Sequence, residues 1–503
     1  MKSMWARLNS SEAPEAMSEC YVFVMLTLFP LFTGFKAYAN ITLSKFLFFV
    51  ISSAIWLTAL VLARGRFPQR RQLSAPMKWM LAFLCLCCLS ALLSPHRAES
   101  FWGAGRYDGL FSWLLYGGVF LACCAHGHWK PWHSFGFAVA VGLCSLVAIG
   151  QLMGHDPLGL YPGDLNFYDG HVRYIGQFLG TVGNTNLLSS VLCLAIAYGA
   201  GHILSAEERP SALWLVSMGL AMFVLTASGV SGGLLALAMG GAVACVWLLD
   251  SQQRLCRGFG LGAVLLGCAG LALAFQGSAE SWRFVFERKS LLMMMCSALS
   301  LSLCLFLCVY SGPFPPAQRL RRGWLLVLLF SAVGLLALLW FWEGEQGTLY
   351  EFSQILRGNF DDRFGSSRLR IWKRCLALAK ERPLLGHGPG TLALVMDIEF
   401  SRVVDGSGRL LSSTVDNAHN VYLQILCESG LLGLAAYGGI LLSSLRLWYR
   451  QRHSSRTQAL GLAVVCYAIQ SFFNLELCLN APLFWIFLGL FVSEIISSSY
   501  LED

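Results

Sequence analysis

The chain has 503 residues, length enough for roughly three or four soluble domains, but 56% hydrophobic residues, a mean hydropathy of +0.60 and only 13% charged residues exclude that organisation. They describe an all-α polytopic membrane protein. The net charge of +8 would suggest a nucleic-acid partner if it were clustered; it follows membrane topology instead, so a lipid bilayer and no nucleic acid is expected.

Apolar runs long enough to cross about 30 Å of hydrocarbon recur at 20–39, 42–64, 77–94, 109–125, 133–154, 180–204, 211–228, 230–249, 257–275, 288–311, 323–342, 419–446, 456–474 and 480–499. Twelve to fourteen transmembrane helices are expected from them. The residues before Cys20 are polar, with Glu12, Glu15 and Glu19, and no small-residue cleavage site follows, so the first helix is expected to stay in the membrane. With the N-terminus inside, 18 basic residues fall on the cytoplasmic side and 8 on the outer side; the other 10 of the 36 lie in one long outer segment. That bias predicts both termini inside. Most of the 18 cysteines lie in predicted helices, and no pair of CxxC motifs is present, so neither a structural disulfide nor a metal is expected.

Three regions follow: a helix bundle over 1–342, a long extracytoplasmic loop over 343–418, and C-terminal helices over 419–503. The loop is too long to be a simple connector. Within it Ser366 and Ser367 can cap a helix along which Leu369, Trp372, Leu376 and Ala379 form an apolar stripe, with Arg368, Arg370, Lys373, Arg374 and Lys380 on the other positions. These cations suit either lipid phosphates at the interface or a phosphorylated substrate held by guanidinium groups. Beyond the helix, Arg382-Pro-Leu-Leu-Gly-His-Gly-Pro-Gly-Thr391 is a glycine-rich turn. Asp416, Asn417, His419, Asn420, Gln424 and Glu428 then gather at the mouth of the next span, a costly depth for polar groups and hence a candidate site. Asn420, Gln424 and Glu428 share a helix face, with His419 on an adjacent one at the rim.

At these residues the chain resembles the O-antigen ligase and polymerase superfamily. The resemblance rests on Arg368-x-x-x-Trp372, Pro383-Leu-Leu-Gly-x-Gly-Pro-Gly, His419-Asn-x-Tyr-Leu-Gln and Glu428-x-Gly-Leu-Leu-Gly. Upstream it includes Gly183-Asn-Thr-Asn186, Phe101-Trp-Gly and Arg106-Tyr-Asp-Gly109, in order from about residue 95 to 445, most specifically over about 180–445. It implies a C-type membrane glycosyltransferase working on the extracytoplasmic face of a bacterial inner membrane. The donor would be a glycan on undecaprenyl pyrophosphate, and the acceptor a glycan, lipid or protein. No cofactor is implied, since the lipid pyrophosphate is the leaving group. It further implies that outward arginines bind pyrophosphate and that the histidine is essential.

On that basis Arg368, with Arg370 beside it, is assigned to the pyrophosphate, and His419 to the acceptor proton, a role suited to an imidazole near its usual pKa with pH dependence between about pH 5 and 8. Asp416 either orients His419 and raises its pKa or simply solubilises the loop. Asn184 and Asn186 either cap a helix or help hold the anionic donor together with Asn420. One departure stands out: where the family carries a second arginine, in a Thr-x-Ser-Arg-Gly element, this chain reads Leu225-Thr-Ala-Ser-Gly-Val-Ser-Gly-Gly233 with Gly229 at that place. Arg173 is the expected substitute, and a close-packed helix turn is the structural alternative. Rival readings are a polysaccharide flippase and a catalytically inactive homologue.

Overall fold

The computed structural model describes residues 13–63, 73–161, 168–169, 172–173, 178–206, 211–277, 282–404, 409–450 and 454–499. In chain order the helices are α1 (Ala13–Thr27), α2 (Ile41–Leu62), α3 (Ala75–Leu93), the short α4 (Arg97–Trp102), α5 (Leu110–His126), α6 (Pro131–Leu152), α7 (Thr185–Ser205), α8 (Ala212–Ala227), α9 (Ser231–Trp247), α10 (Gln252–Ala274), α11 (Arg288–Val309) and α12 (Ala317–Trp340). The segment that follows holds α13 (Thr348–Leu356), α14 (Phe364–Glu381) and the one-turn α15 (Leu392–Val395). α16 (Val421–Arg450), α17 (Ser455–Gln470) and α18 (Ala481–Ser499) complete the bundle. Each expected apolar run contains a helix. Eight of these helices are long and apolar enough to cross a membrane, and α5, α8, α9 and α18 are shorter apolar helices.

The first run departs from expectation. α1 ends at Thr27, because Pro30 and the left-handed Gly34 cannot continue a helix. Lys45, fully buried, donates its ammonium to the carbonyls of Phe29 at 2.7 Å and Pro30 at 3.2 Å, so the backbone freed by the break is satisfied inside the protein.

The core sits around α18, whose residues from Ala481 to Ile495 are buried on all sides. Trp485 meets Tyr437 of α16 and Trp113 of α5 edge to face at 6.0 and 6.1 Å. α7 is almost as enclosed, with 89% of its apolar window buried, whereas α11 and α12 bury 6% and 0% of theirs. Apolar helices that bury so little within the chain need a further apolar environment, which a lipid bilayer supplies.

Hydrogen bonds define the two ends of this bundle. At one end Asn474, in the loop after α17, donates to the Asn186 carbonyl at the start of α7 (2.7 Å), and Val421 at the start of α16 donates to the Ser471 carbonyl (2.9 Å). At the other, Ser455 of α17 donates to the Ser205 carbonyl at the end of α7 (2.6 Å). Two-stranded antiparallel hairpins join β1 (Tyr168–Asp169) to β2 (Val172–Arg173), β3 (Phe275–Gly277) to β4 (Trp282–Phe284), and β5 (Glu399–Val404) to β6 (Arg409–Thr414). The last of these was not expected from the helical reading of the loop.

α16 is not continuous. At Gly430 the backbone takes φ 67° and ψ −171°, a conformation open to glycine alone, and splits the helix into two halves. A Cβ there would collide with the backbone of Leu384. Gly430→Ala is therefore expected to lose more than the ~1–3 kcal/mol of a strained residue; near-normal yield and thermal unfolding temperature of the variant in detergent would contradict this account.

Candidate functional site

The break at Gly430 is closed by the glycine-rich turn. Residues 431 and 432 lose their helical acceptors, and their N–H groups donate to the carbonyls of Pro383 (2.8 Å) and Leu384 (3.3 Å). The carbonyls thereby freed, of Cys427 and Glu428, accept from the N–H groups of His387 (3.0 Å) and Gly388 (2.9 Å). Ser90 and Ser94 of the α3 end bind the same junction, Ser90 donating to the carbonyls of Leu385 and Glu428 (2.6 and 2.8 Å) and Ser94 to that of His387 (2.6 Å). The Phe101–Gly109 segment joins through Ala104 N–H, which donates to the Gly390 carbonyl at 2.9 Å.

His419 precedes α16 rather than lying on it, in a left-handed turn with φ 49°. Asn417 Oδ1 accepts from the His419 N–H (2.8 Å), Asn420 Oδ1 caps the helix by accepting from Leu423 N–H (3.1 Å), and Gln424 Oε1 accepts from Ala418 N–H (2.9 Å). Gln424 in turn donates through Nε2 to the Glu428 carboxyl. Of the expected shared face, Gln424 and Glu428 form a hydrogen-bonded strut under the histidine turn, while Asn420 beside them caps the helix. Tyr107, Ser366, Ser367 and His419 are four of the five non-glycine residues with positive φ among the described residues, and all belong to segments that meet here. Such strain concentrates where geometry is over-determined.

Helix α14 is attached to this turn by Trp372, whose indole N–H donates to the Ala418 carbonyl at 3.0 Å. Its buried face is Ile371, Cys375, Leu378 and Ala379, while Leu376 is exposed, so the expected stripe is rotated: the helix docks on the start of α16 rather than lying flat on the membrane. Ser366 and Ser367 do not cap it; both are left-handed residues in a kink at its start. The cations also separate. Arg374 pairs with Asp397 (2.7 Å) and Glu381 (3.5 Å), Lys373 pairs with Asp362 (2.5 Å), and Arg370 lies over the Phe400 ring at 5.8 Å. Arg368, one turn before Trp372, is partly buried beside His419 and has no acidic partner among the described residues.

Asp416 pairs with Arg106, Nε to Oδ2 at 2.6 Å, a partner that neither expected reading of it, as a group orienting His419 or as one solubilising the loop, names. With side chains 37% and 33% exposed, that pair contributes no more than about 1 kcal/mol. The expectation of an ordinary histidine pKa is corrected. Burial and then the Arg368 cation push the His419 imidazole down to about 4, against a smaller opposing pull from Asp416. His419 Nδ1 and Asn420 Nδ2 are buried without a hydrogen-bond partner among the described residues.

Next to the turn lies a cavity of about 20 Å³, lined by Asp108, Glu428 and Glu476 with Asn417 and Gln424, large enough for about one water. Burial raises the Asp108 carboxyl to about 6 and that of Glu476 to about 8. Linear spacing does not bring these three acids together, although acids bordering apolar runs were a signal.

Asn184 and Asn186 are at the same end of the bundle, at the start of α7 rather than in the histidine turn. Asn184 caps α7, its Oδ1 accepting from the N–H groups of Asn186 (2.9 Å) and Leu187 (3.2 Å). Asn186 receives Asn474, whose loop carries Glu476 to the cavity. Arg173 belongs to the β1–β2 hairpin opposite Tyr168, and its side chain lies outside the described residues. Gly229 forms the left-handed turn between α8 and α9 (φ 66°), a conformation an arginine would adopt only under strain.

Residues 288–438 match the O-antigen ligase family model. The match begins at α11 and covers the whole 343–418 segment, the glycine-rich turn, His419 and the break in α16. It ties this multi-pass membrane protein to polysaccharide biosynthesis, with ligase-like or polymerase-like function and lipid-linked glycans as the substrate class. No curated protein matches the chain.

If Glu428 holds the site together, Glu428→Ala strands the buried Gln424 amide and costs about 1–3 kcal/mol, whereas Glu428→Gln, which keeps one acceptor oxygen, costs less. Thermal unfolding in detergent reads both; equal losses in the two variants would refute the strut.

Proposed function

We propose that this O-antigen ligase-like protein transfers or polymerises a glycan carried on undecaprenyl pyrophosphate, at the extracytoplasmic face of a bacterial inner membrane. Residues 343–418 form the donor-side loop over the bundle of 1–342 and 419–503. The observation that carries this reading is the adjacency of Arg368, a partly buried cation without an acid, to His419, an imidazole with an unpartnered buried nitrogen.

The chemistry assigns a task to each. As the anomeric carbon–oxygen bond to pyrophosphate breaks, negative charge grows on the leaving oxygen, and a fixed guanidinium in a partly desolvated place stabilises it. The acceptor hydroxyl attacks from the other side, inverting the centre, and its proton passes to His419. A neutral imidazole is available throughout the neutral range because burial and Arg368 keep it unprotonated. Bound pyrophosphate offsets the Arg368 charge and raises the basicity of His419 when the base is needed. Arg370 extends the cationic edge toward the donor, and Asn420 offers a free amide. Asp416 steadies the turn through Arg106, and Asn184 and Asn186 shape the neighbouring wall, with Arg173 the candidate second cation in place of the arginine missing at Gly229. The acceptor is a glycan, lipid or protein hydroxyl.

Transfer from a purified lipid-pyrophosphate glycan tests the assignment. His419→Ala is expected to lose about 10²–10⁴-fold and Arg368→Ala about 10²–10³-fold, while equal turnover in wild type and both variants would end it. The pH profile follows from the depressed histidine: kcat/KM, which reports the free enzyme, stays level from pH 8 to about 5 and falls as pH drops toward about 4 and the imidazole protonates. Arg368→Gln removes the like charge, so the acidic limb of its residual activity moves to higher pH; a limb that stays in place would separate His419 from the Arg368 field.

A further inference from the structure

At the end of the bundle opposite His419, three thiols from two helices converge. Cys256 lies in the first turns of α10, and Cys304 and Cys308 lie four residues apart near the end of α11. Cys256 Sγ is 3.6 Å from Cys304 Sγ and 3.1 Å from Cys308 Sγ, and all three sulfurs fall within 4.8 Å of one another. No other three thiols gather so closely among the described residues.

Hydrogen bonds on both sides fix the register that brings them together. Toward the helix ends, Gln252 Nε2 donates to the carbonyls of Leu307 (2.8 Å) and Tyr310 (2.7 Å). On the other side Ser300 donates to the Phe259 carbonyl and Ser297 to that of Ala263, both at 2.7 Å. A one-residue slip of α11 would break all four bonds, so the thiols are held in place by groups that take no part in their chemistry.

The separations distinguish between uses. A disulfide needs about 2.05 Å, whereas two sulfurs on one ion with bonds of about 2.3 Å stand roughly 3.8–4.0 Å apart. Small outward rotations of the side chains reach the second geometry. Cys308 is exposed and leaves an open side for entry.

We propose that Cys256, Cys304 and Cys308 bind one thiophilic metal ion, of the zinc(II) or copper(I) class, that staples α10 to α11. Thiolate ligands select such soft or borderline ions. Each coordinating sulfur loses its thiol proton to solvent as its bond to the ion forms, and no electron is transferred. The inference is independent of the transferase reading.

The test uses the full chain, reduced and free of oxygen, in detergent. Titration with cadmium(II) alone is expected to give a thiolate charge-transfer band saturating at one equivalent, absent from Cys256→Ser/Cys304→Ser/Cys308→Ser; parallel loading with zinc(II) and copper(I), followed by desalting and metal analysis, identifies the ion retained. A second measurement needs no variant: in the wild type, bound ion is expected to slow alkylation of these three cysteines at least tenfold and leave exposed Cys85 labelled at its metal-free rate. No retained ion in the wild type, equal retention in the triple variant, or protection that extends to Cys85 would overturn the proposal. So would a disulfide between Cys256 and Cys308 in protein isolated without reductant.

Discussion

The architecture of the site depends on one exchange of backbone hydrogen bonds. A helix broken at membrane depth exposes two carbonyls and two N–H groups, a state that lipid cannot relieve. Here the Pro383–Gly388 stretch supplies two acceptors and two donors in matching order, so the break at Gly430 costs no unsatisfied backbone group. The exchange also fixes what surrounds it. With that stretch in place, Ser90, Ser94 and the Phe101–Gly109 segment have a single docking position, and Glu428 is held where its carboxylate reaches Gln424.

From this rigid seam the charges take their places. α14 is connected to the seam through Trp372, which sets Arg368 against the His419 turn while its neighbours Lys373 and Arg374 are occupied by acids. A helix that reads from its sequence as uniformly basic therefore offers a small and selected part of its charge. The acids Asp108, Glu428 and Glu476 around a space for about one water balance the cationic side. Burial holds the Asp108 and Glu476 carboxyls above the ordinary carboxylate range, so part of the formal negative charge around this space is absent near neutral pH.

Much of this was legible in the chain. A 20-residue apolar run has few fates, which is why every expected span contains a helix, and polar residues crowded at the mouth of one span marked the site. What stayed hidden has physical causes. Pro30 and Gly34 shorten the first helix, and Lys45, which counts as a topology charge in the sequence, is a plug for the carbonyls they release. The amphipathic stripe on α14 was assigned to Leu369 and Leu376 because a membrane surface and a protein surface demand the same periodicity; only the docked partner shows that Ile371 and Cys375 face inward. The β5–β6 hairpin had a signal, the Asp405-Gly406 pair between β-prone stretches, which the helical reading passed over. The Arg106–Asp416 pair and the cysteine trio join residues too far apart in the chain for any spacing rule to link.

That distance has a consequence for how the protein is made. Ser90, Ser94 and Arg106 find their partners 295, 293 and 310 residues later in the chain. At a synthesis rate of about 5–20 residues per second, they wait roughly 15–60 s for those partners to emerge. During that interval the early helices must hold polar groups at the membrane boundary with water or lipid headgroups as temporary partners. Assembly of the site is thus a late event of biogenesis, completed only when the C-terminal helices insert, and the His419 end of the protein stays unformed on the ribosome until nearly the whole chain has been read.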